Sequence, residues 1–164
     1  MGDPLLRRAT RPSEVDADRI VEELYRLHRT RLMHLAAAIT LDRALAEEVV
    51  QEAFIGLQRN LESIDNSEGY LHRSVVHRSI SVLRRRRVAS RAPSPVAAIL
   101  ISPEIDETWL TVARLPGRER ALVILRFWED LSESSIAATL GWPSGTVKST
   151  LHRALKRLRE ELQS

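Results

Sequence analysis

Apolar residues recur every three to four positions along most of this chain and seldom alternate, a pattern that predicts helices rather than strands. Ile20, Leu24, Leu27, Leu32, Leu35 and Ile39 mark a first helix from Arg19 to about Thr40. Leu45, Val49, Ala53 and Leu57 fall on one stripe at steps of four and predict a second, Arg43 to Asn60, with Asp42 as its N-cap. Glu48, Gln51, Glu52 and Arg59 lie off that stripe, so they are expected to be exposed. Asn66-Ser67-Glu68-Gly69 is a turn signal. A third helix follows from Tyr70 to about Arg87. Leu71, Val75, Val82 and Leu83 point inward there, with His72, Arg73, His77, Arg78 and Ser81 at or beside the outer face.

The pattern lapses from Val88 to about Glu107, where Pro93, Pro95 and Pro103 mark a linker that still carries the apolar run Val96 to Ile101. Helical spacing resumes at Thr108 with Trp109, Leu110, Val112 and Ala113. Leu115-Pro116-Gly117 is a break, and Pro116 suits the first turn of the next helix. Leu122, Leu125 and Trp128 supply that helix's core face. Two further helices, Ser132 to Leu140 and Ser144 to Leu162, are joined by Gly141, Trp142 and Pro143. Glycine can turn left-handed just past a helix end, proline cannot continue the helix, and Ser144 is placed to cap the next one. Two helices around so tight a turn form a helix-turn-helix, whose second helix commonly enters a DNA major groove.

The predicted fold class is therefore all-α. Two small helical domains are joined by a flexible linker, and the C-terminal one is a helix-turn-helix. The expected divisions are a loose N-terminal arm over 1–17, a first helical domain over 18–88, a linker over 89–107 and the second domain over 108–164.

The last helix is two-faced. Val147, Leu151, Ala154, Leu155, Leu158 and Leu162 form its apolar stripe. Thr146, Lys148, Ser149, Thr150, His152 and Arg153 lie near its N-terminal end on the remaining surface, residue types that reach phosphates and base edges. A formal charge of +3 says little about a partner, but its distribution says more. No acidic residue falls between Glu68 and Glu104, whereas Arg73, Arg78, Arg84, Arg85, Arg86, Arg87 and Arg91 all do. That is a footprint for phosphate.

The absence of cysteine excludes disulfides, thiolate metal sites and cysteine nucleophiles. The five histidines, His28, His34, His72, His77 and His152, show no zincin spacing, and there is neither a glycine-rich phosphate loop nor a GxSxG element. Nothing points to an enzyme, a cofactor or a metal. The charged N-terminus lacks a signal-peptide core, and the longest apolar run is far too short to span a bilayer, so a cytoplasmic protein without membrane insertion is expected.

Two separated motifs carry a family resemblance. The first is Leu41-Asp42-Arg43-Ala44-Leu45-Ala46-Glu47-Glu48-Val49-Val50-Gln51-Glu52-Ala53-Phe54. The second comprises Leu115-Pro116, Leu125-Arg126-Phe127, Ile136-Ala137, Leu140-Gly141, Gly145-Thr146-Val147-Lys148-Ser149 and Leu151-His152-Arg153-Ala154-Leu155. In this order they resemble regions 2 and 4 of bacterial RNA polymerase sigma factors of the extracytoplasmic-function (ECF) type. Tyr70-Leu71, Val75-Val76 and the preference for Arg over Lys resemble the subgroup common in high-GC actinobacteria.

The resemblance implies partners and a division of labour. Glu48, Gln51 and Glu52 would face core RNA polymerase. Tyr70, Arg73, His77, Arg78, Arg84 and Arg85 would meet the −10 element of promoter DNA, with Tyr70 stacking on an unpaired base. Thr146, Lys148, Ser149, Thr150 and Arg153 would read the −35 element as duplex. An anti-sigma protein is a further partner that the resemblance brings. The chain departs from the family pattern at Tyr70 (usually Trp), His77 (usually Asn), Ser81 (usually Asp), Ser135 (often Glu) and Thr150 (often Arg). The rival reading is a free-standing transcription regulator that binds operator DNA through the helix-turn-helix alone, which leaves the first motif without a role.

Overall fold

The computed structural model describes residues 13–89 and 107–164. Every regular element among them is helical. The expected N-terminal arm up to residue 12 and the linker run with Val96 to Ile101 and Arg91 lie outside the described residues.

Helix α1 spans Glu14–Thr40 and starts earlier than apolar spacing predicts. The Ser13 hydroxyl accepts from the Asp16 N–H, and Glu14 and Asp16 place negative charge at the positive helix end. These capping signals lie outside the apolar stripe, so residues 14–17 are helix rather than arm. The stripe itself is buried only in the C-terminal half, at Leu32, Leu35 and Ile39, while Leu27 is exposed. Helix α2 spans Arg43–Asn60, and the Asp42 carboxylate accepts from the Leu45 N–H at 3.1 Å as expected. A 3-10 turn, Leu61–Ser63, leads to helix α3, Ser67–Ala89. Its start absorbs the predicted turn, because Asn66 Oδ1 accepts from the Gly69 N–H at 2.9 Å and so caps the first turn. Val76 and Ser79 join Leu71, Val75 and Val82 in the interior. The three helices pack on one another around Ile39, Val49, Leu57, Leu71 and Val75.

Helix α4 spans Glu107–Arg114 and helix α5 spans Gly117–Val123, with Pro116 in extended conformation ahead of it. Here the helix departs from prediction. Ile124–Trp128 winds as a π-helical turn, in which Glu129 N–H bonds back to the Ile124 carbonyl at 3.0 Å. Leu122 and Leu125 are fully buried as expected, but the wider turn takes Trp128 off their stripe and leaves it 58 % exposed. Its ring instead meets buried Trp109 edge-on, with centroids 5.2 Å apart.

Helix α6, Glu133–Leu140, is capped by the Ser132 hydroxyl, which accepts from the Ser135 N–H at 3.1 Å. Gly141 takes the left-handed conformation, φ 64°, that ends the helix. Helix α7 spans Ser144–Leu162. Ser144 is its first helical residue rather than its cap; Pro143 holds the cap position and offers no side-chain bond. Val147, Leu151 and Ala154 are buried where α7 packs on α4, α5 and α6, the second helical unit, while Leu162, at the end of the stripe, is exposed.

Candidate nucleic-acid interface

Helix α3 carries the first group of predicted contacts. Arg73, Arg84 and Arg85 are exposed. Arg86, in the same run, is tied back to the α2 cap, its Nη1 2.8 Å from the Asp42 carboxylate. Those contacts, with the Leu45 N–H foremost, hold the Asp42 carboxyl below its ordinary pKa. Tyr70 is half-buried, with its hydroxyl over Gly56 of α2. Arg78 is half-buried as well. Its Nε donates to Ser74 Oγ at 3.1 Å, and its Nη1 lies 3.7 Å from the Glu52 carboxylate. Glu52 thus faces α3, beside a residue of the other predicted group, while Glu48 and Gln51 stand exposed on α2.

The second group lies at the start of α7. Lys148, Ser149, His152 and Arg153 are exposed, and they share a shallow depression with Gly145. The Ser149 hydroxyl donates to the Thr146 carbonyl at 3.2 Å. Thr150 does not join this surface. It is 4 % exposed, and its hydroxyl accepts from Arg153 Nη2 at 3.2 Å. It lies between Val147 and Leu151 in sequence, close enough to the apolar stripe to be covered with it.

The two groups meet. A cleft of about 710 Å³ runs between α3 and the helix-turn-helix, lined by His77, Arg84, Arg118, Trp142, Thr146 and Arg153 among others. The Arg118 guanidinium stands over the Trp142 ring, 4.2 Å from its centroid. Three polar clasps hold the walls together. His77 Nε2 lies 2.7 Å from the Thr139 carbonyl, in the last turn of α6. The Arg120 guanidinium donates from Nε and Nη2 to the Ile39 carbonyl, in the last turn of α1, at 2.9 and 2.7 Å. Its Nη1 donates to the Leu115 and Ala113 carbonyls at 2.6 and 3.2 Å. Burial pushes the Arg120 pKa down to about 10, so the group stays charged at neutral pH. Finally, Glu129 receives His72 Nε2 at 3.1 Å and Arg31 Nη2 at 2.8 Å. The His72 contact first, then Arg31, hold its carboxyl below the usual range against the opposing effect of burial.

Sequence reasoning missed these clasps. His72 was expected at the outer face and is half-buried against Glu129. Arg120 carried one signal, a cation directly before the apolar run Ala121 to Leu125. The exposed pair Phe127 and Trp128, 57 % and 58 %, went unseen because the π turn leaves no mark on apolar spacing. Among the described residues no cluster of three or more His, Cys, Asp or Glu could hold a metal ion, and no helix is long and apolar enough to cross a membrane.

The chain matches the Sigma-70 region 2 family over residues 24–88 and the Sigma-70 region 4 family over residues 105–158. It is 33% identical over 153 residues to the RNA polymerase sigma-E factor of Streptomyces coelicolor, covering 86% of this chain and 85% of that protein. The chain belongs to the sigma-70 family of RNA polymerase sigma factors. It is also 30% identical over 145 residues to the ECF RNA polymerase sigma factor SigM of Mycobacterium tuberculosis, covering 84% of this chain and 74% of that one, which places it in the ECF branch. Among solved structures, the sigma factor RpoE from Bartonella quintana, in complex with the anti-sigma factor NepR, shares its fold. The TM-score is 0.65 at 23% identity, over 88% of this chain and 98% of that one.

Proposed function

We propose that this ECF sigma factor binds core RNA polymerase through α2, captures the −10 element on α3 and reads the −35 element with α7. The observation that carries the reading is the pairing, in one chain, of two cationic DNA-type surfaces on separate helical units. One offers an aromatic ring, Tyr70, with Arg73 one turn on and Arg84 and Arg85 roughly 20 Å further along the same helix. The other offers Lys148, Ser149 and Arg153 at the N-terminal end of a recognition helix.

The chemistry differs between the two. On α3, a ring can stack on an unpaired base, worth roughly 1–3 kcal/mol, which offsets the few kcal/mol of unstacking it. Arginines beside it hold phosphates, so opening is salt-dependent. On α7, short polar side chains and an arginine read base edges of intact duplex while the helix N-terminus favours a phosphate. Glu48 and Gln51 present a polar face to the polymerase, and Glu52, paired with Arg78, links that face to the −10 surface. The chain performs no covalent chemistry; the polymerase's own metals catalyse initiation. It acts in the cytoplasm, without a cofactor.

Because His77, Arg84, Thr146 and Arg153 border one cleft, promoter engagement requires the two units to part. An anti-sigma protein, such as the one bound by the Bartonella relative, would act by preventing that separation. The test is reconstitution of the purified chain with matched-species core polymerase on a randomised promoter library, followed by transcript sequencing. Start sites that share two upstream elements are expected. Duplex selection by the chain alone, with no polymerase complex, would instead establish a free-standing regulator.

A further inference from the structure

Gly56 lies on α2, facing α3, and two side chains, Tyr70 and Arg78, converge on it. A Cβ built there would stand 2.5 Å from the Tyr70 hydroxyl oxygen, 3.7 Å from Tyr70 Cζ and 3.7 Å from Arg78 Nη2. Glu52, one helical turn before it, pairs with Arg78, and Ser74 holds the other side of that guanidinium. The Tyr70 ring therefore bridges from its own helix to the next, with its hydroxyl end seated where a side chain is missing. A ring packed at its hydroxyl end against the neighbouring helix gives up less freedom when a base stacks on it, and a rigid aromatic platform is worth more than a mobile one.

We propose that Gly56 is a positioning residue for capture of the unpaired −10 base: its missing Cβ is the seat for the Tyr70 hydroxyl, and the seat sets the plane of the stacking ring. The inference rests on the reading of Tyr70 as the −10 platform. It is selective. A methyl group at position 56 drives the hydroxyl away, because 2.5 Å is shorter than real Cβ contacts, yet it meets Arg78 and the ring carbon at ordinary contact distance. The obstruction is the hydroxyl alone, so removing that oxygen should make alanine acceptable.

The test uses four variants and the parent chain, assembled with core polymerase on a promoter selected as above, with 2-aminopurine in the −10 strand to report opening. Gly56→Ala should slow opening about 3- to 30-fold, a part of the stacking effect. Binding of core polymerase and of a −35 duplex should not change. Gly56→Ala combined with Tyr70→Phe should return to within about 2-fold of Tyr70→Phe alone, because the phenylalanine ring leaves room for the methyl. Tyr70→Ala tests the parent reading in the same assay. If Tyr70→Ala opens promoters normally, the platform reading is wrong and the seat falls with it. If Tyr70→Ala is slow but Gly56→Ala is normal, the platform stands and the seat is wrong. A double variant clearly slower than Tyr70→Phe alone would also overturn the seat, since an effect of the methyl on helix packing would survive loss of the hydroxyl.

Discussion

Replacing Arg120 by lysine keeps the charge and removes the fork. The arginine makes four hydrogen bonds to three main-chain carbonyls, of Ile39, Ala113 and Leu115. A lysine ammonium has a single nitrogen and satisfies one or two of these acceptors from its position. Hydrogen bonds to charged groups contribute about 1.5–3 kcal/mol each, and a buried carbonyl left without a donor costs more than the lost bond. Loss of two such bonds, partly relieved by water, gives about 2–4 kcal/mol. For a chain of this size each kcal/mol moves the melting temperature by roughly 2–4 °C, so Arg120→Lys should melt roughly 4–16 °C lower. Ile39 lies in the last turn of α1, whereas Ala113 and Leu115 sit at the α4–α5 junction. The substitution therefore also uncouples the two units, and calorimetry should show a broadened or split transition. Arg118→Lys is the internal control. That guanidinium is exposed over Trp142, and its loss should cost less than about 1 kcal/mol. A melting curve for Arg120→Lys that overlays the control would refute the reasoning.

Acid stability tests the two lowered carboxyls. Asp42 and Glu129 bind fewer protons in the folded state than in the unfolded one, so their contribution is full above the ordinary carboxylate range, about 3.9–4.3, and is lost as pH falls through their lowered folded values. Urea midpoints measured from pH 7 down to pH 3 should fall less steeply for Glu129→Gln than for the parent chain; parallel curves would contradict this. Gly141→Ala should destabilise by about 1 kcal/mol from backbone strain alone, since no atom lies within 4 Å of the added Cβ, and a neutral result in urea titration would show that the turn relaxes. Arg153→Ala should weaken binding of the polymerase-bound factor to −35 duplex and lower the salt slope by about 0.9, read from binding isotherms at several ionic strengths; an unchanged slope would remove Arg153 from the phosphate contacts.

Much of the fold was legible because its cues are local. Asp42 announces α2 and is seen capping it, and Gly141 announces the turn of the helix-turn-helix and adopts the left-handed backbone. Exposure of Glu48, Gln51, Arg73, Lys148 and Arg153 follows from period alone. Errors arose where a local signal competes with a distant one. Trp128 obeys helical spacing until the π turn displaces it. Thr150 looks polar on a helical wheel, but it is covered together with the stripe beside it. His77 is exposed, as its outer-face position predicts, but its ring nitrogen reaches a carbonyl sixty-two positions away, and nothing near it in sequence records that acceptor.

The clasps also divide unequally what the chain must spell out. In the contacts of Arg120 with Ile39 and of His77 with Thr139, the donor is a particular side chain, but the acceptor is a peptide carbonyl that any amino acid would supply. Positions 39 and 139 can therefore change their side chains without altering either bond, within what burial allows at Ile39. For these two contacts the chemical information resides at 120 and 77. Mutations that weaken them should thus fall on one partner of each pair, and compensating double changes across the interface should be confined to the third clasp, where Glu129 meets the side chains of His72 and Arg31.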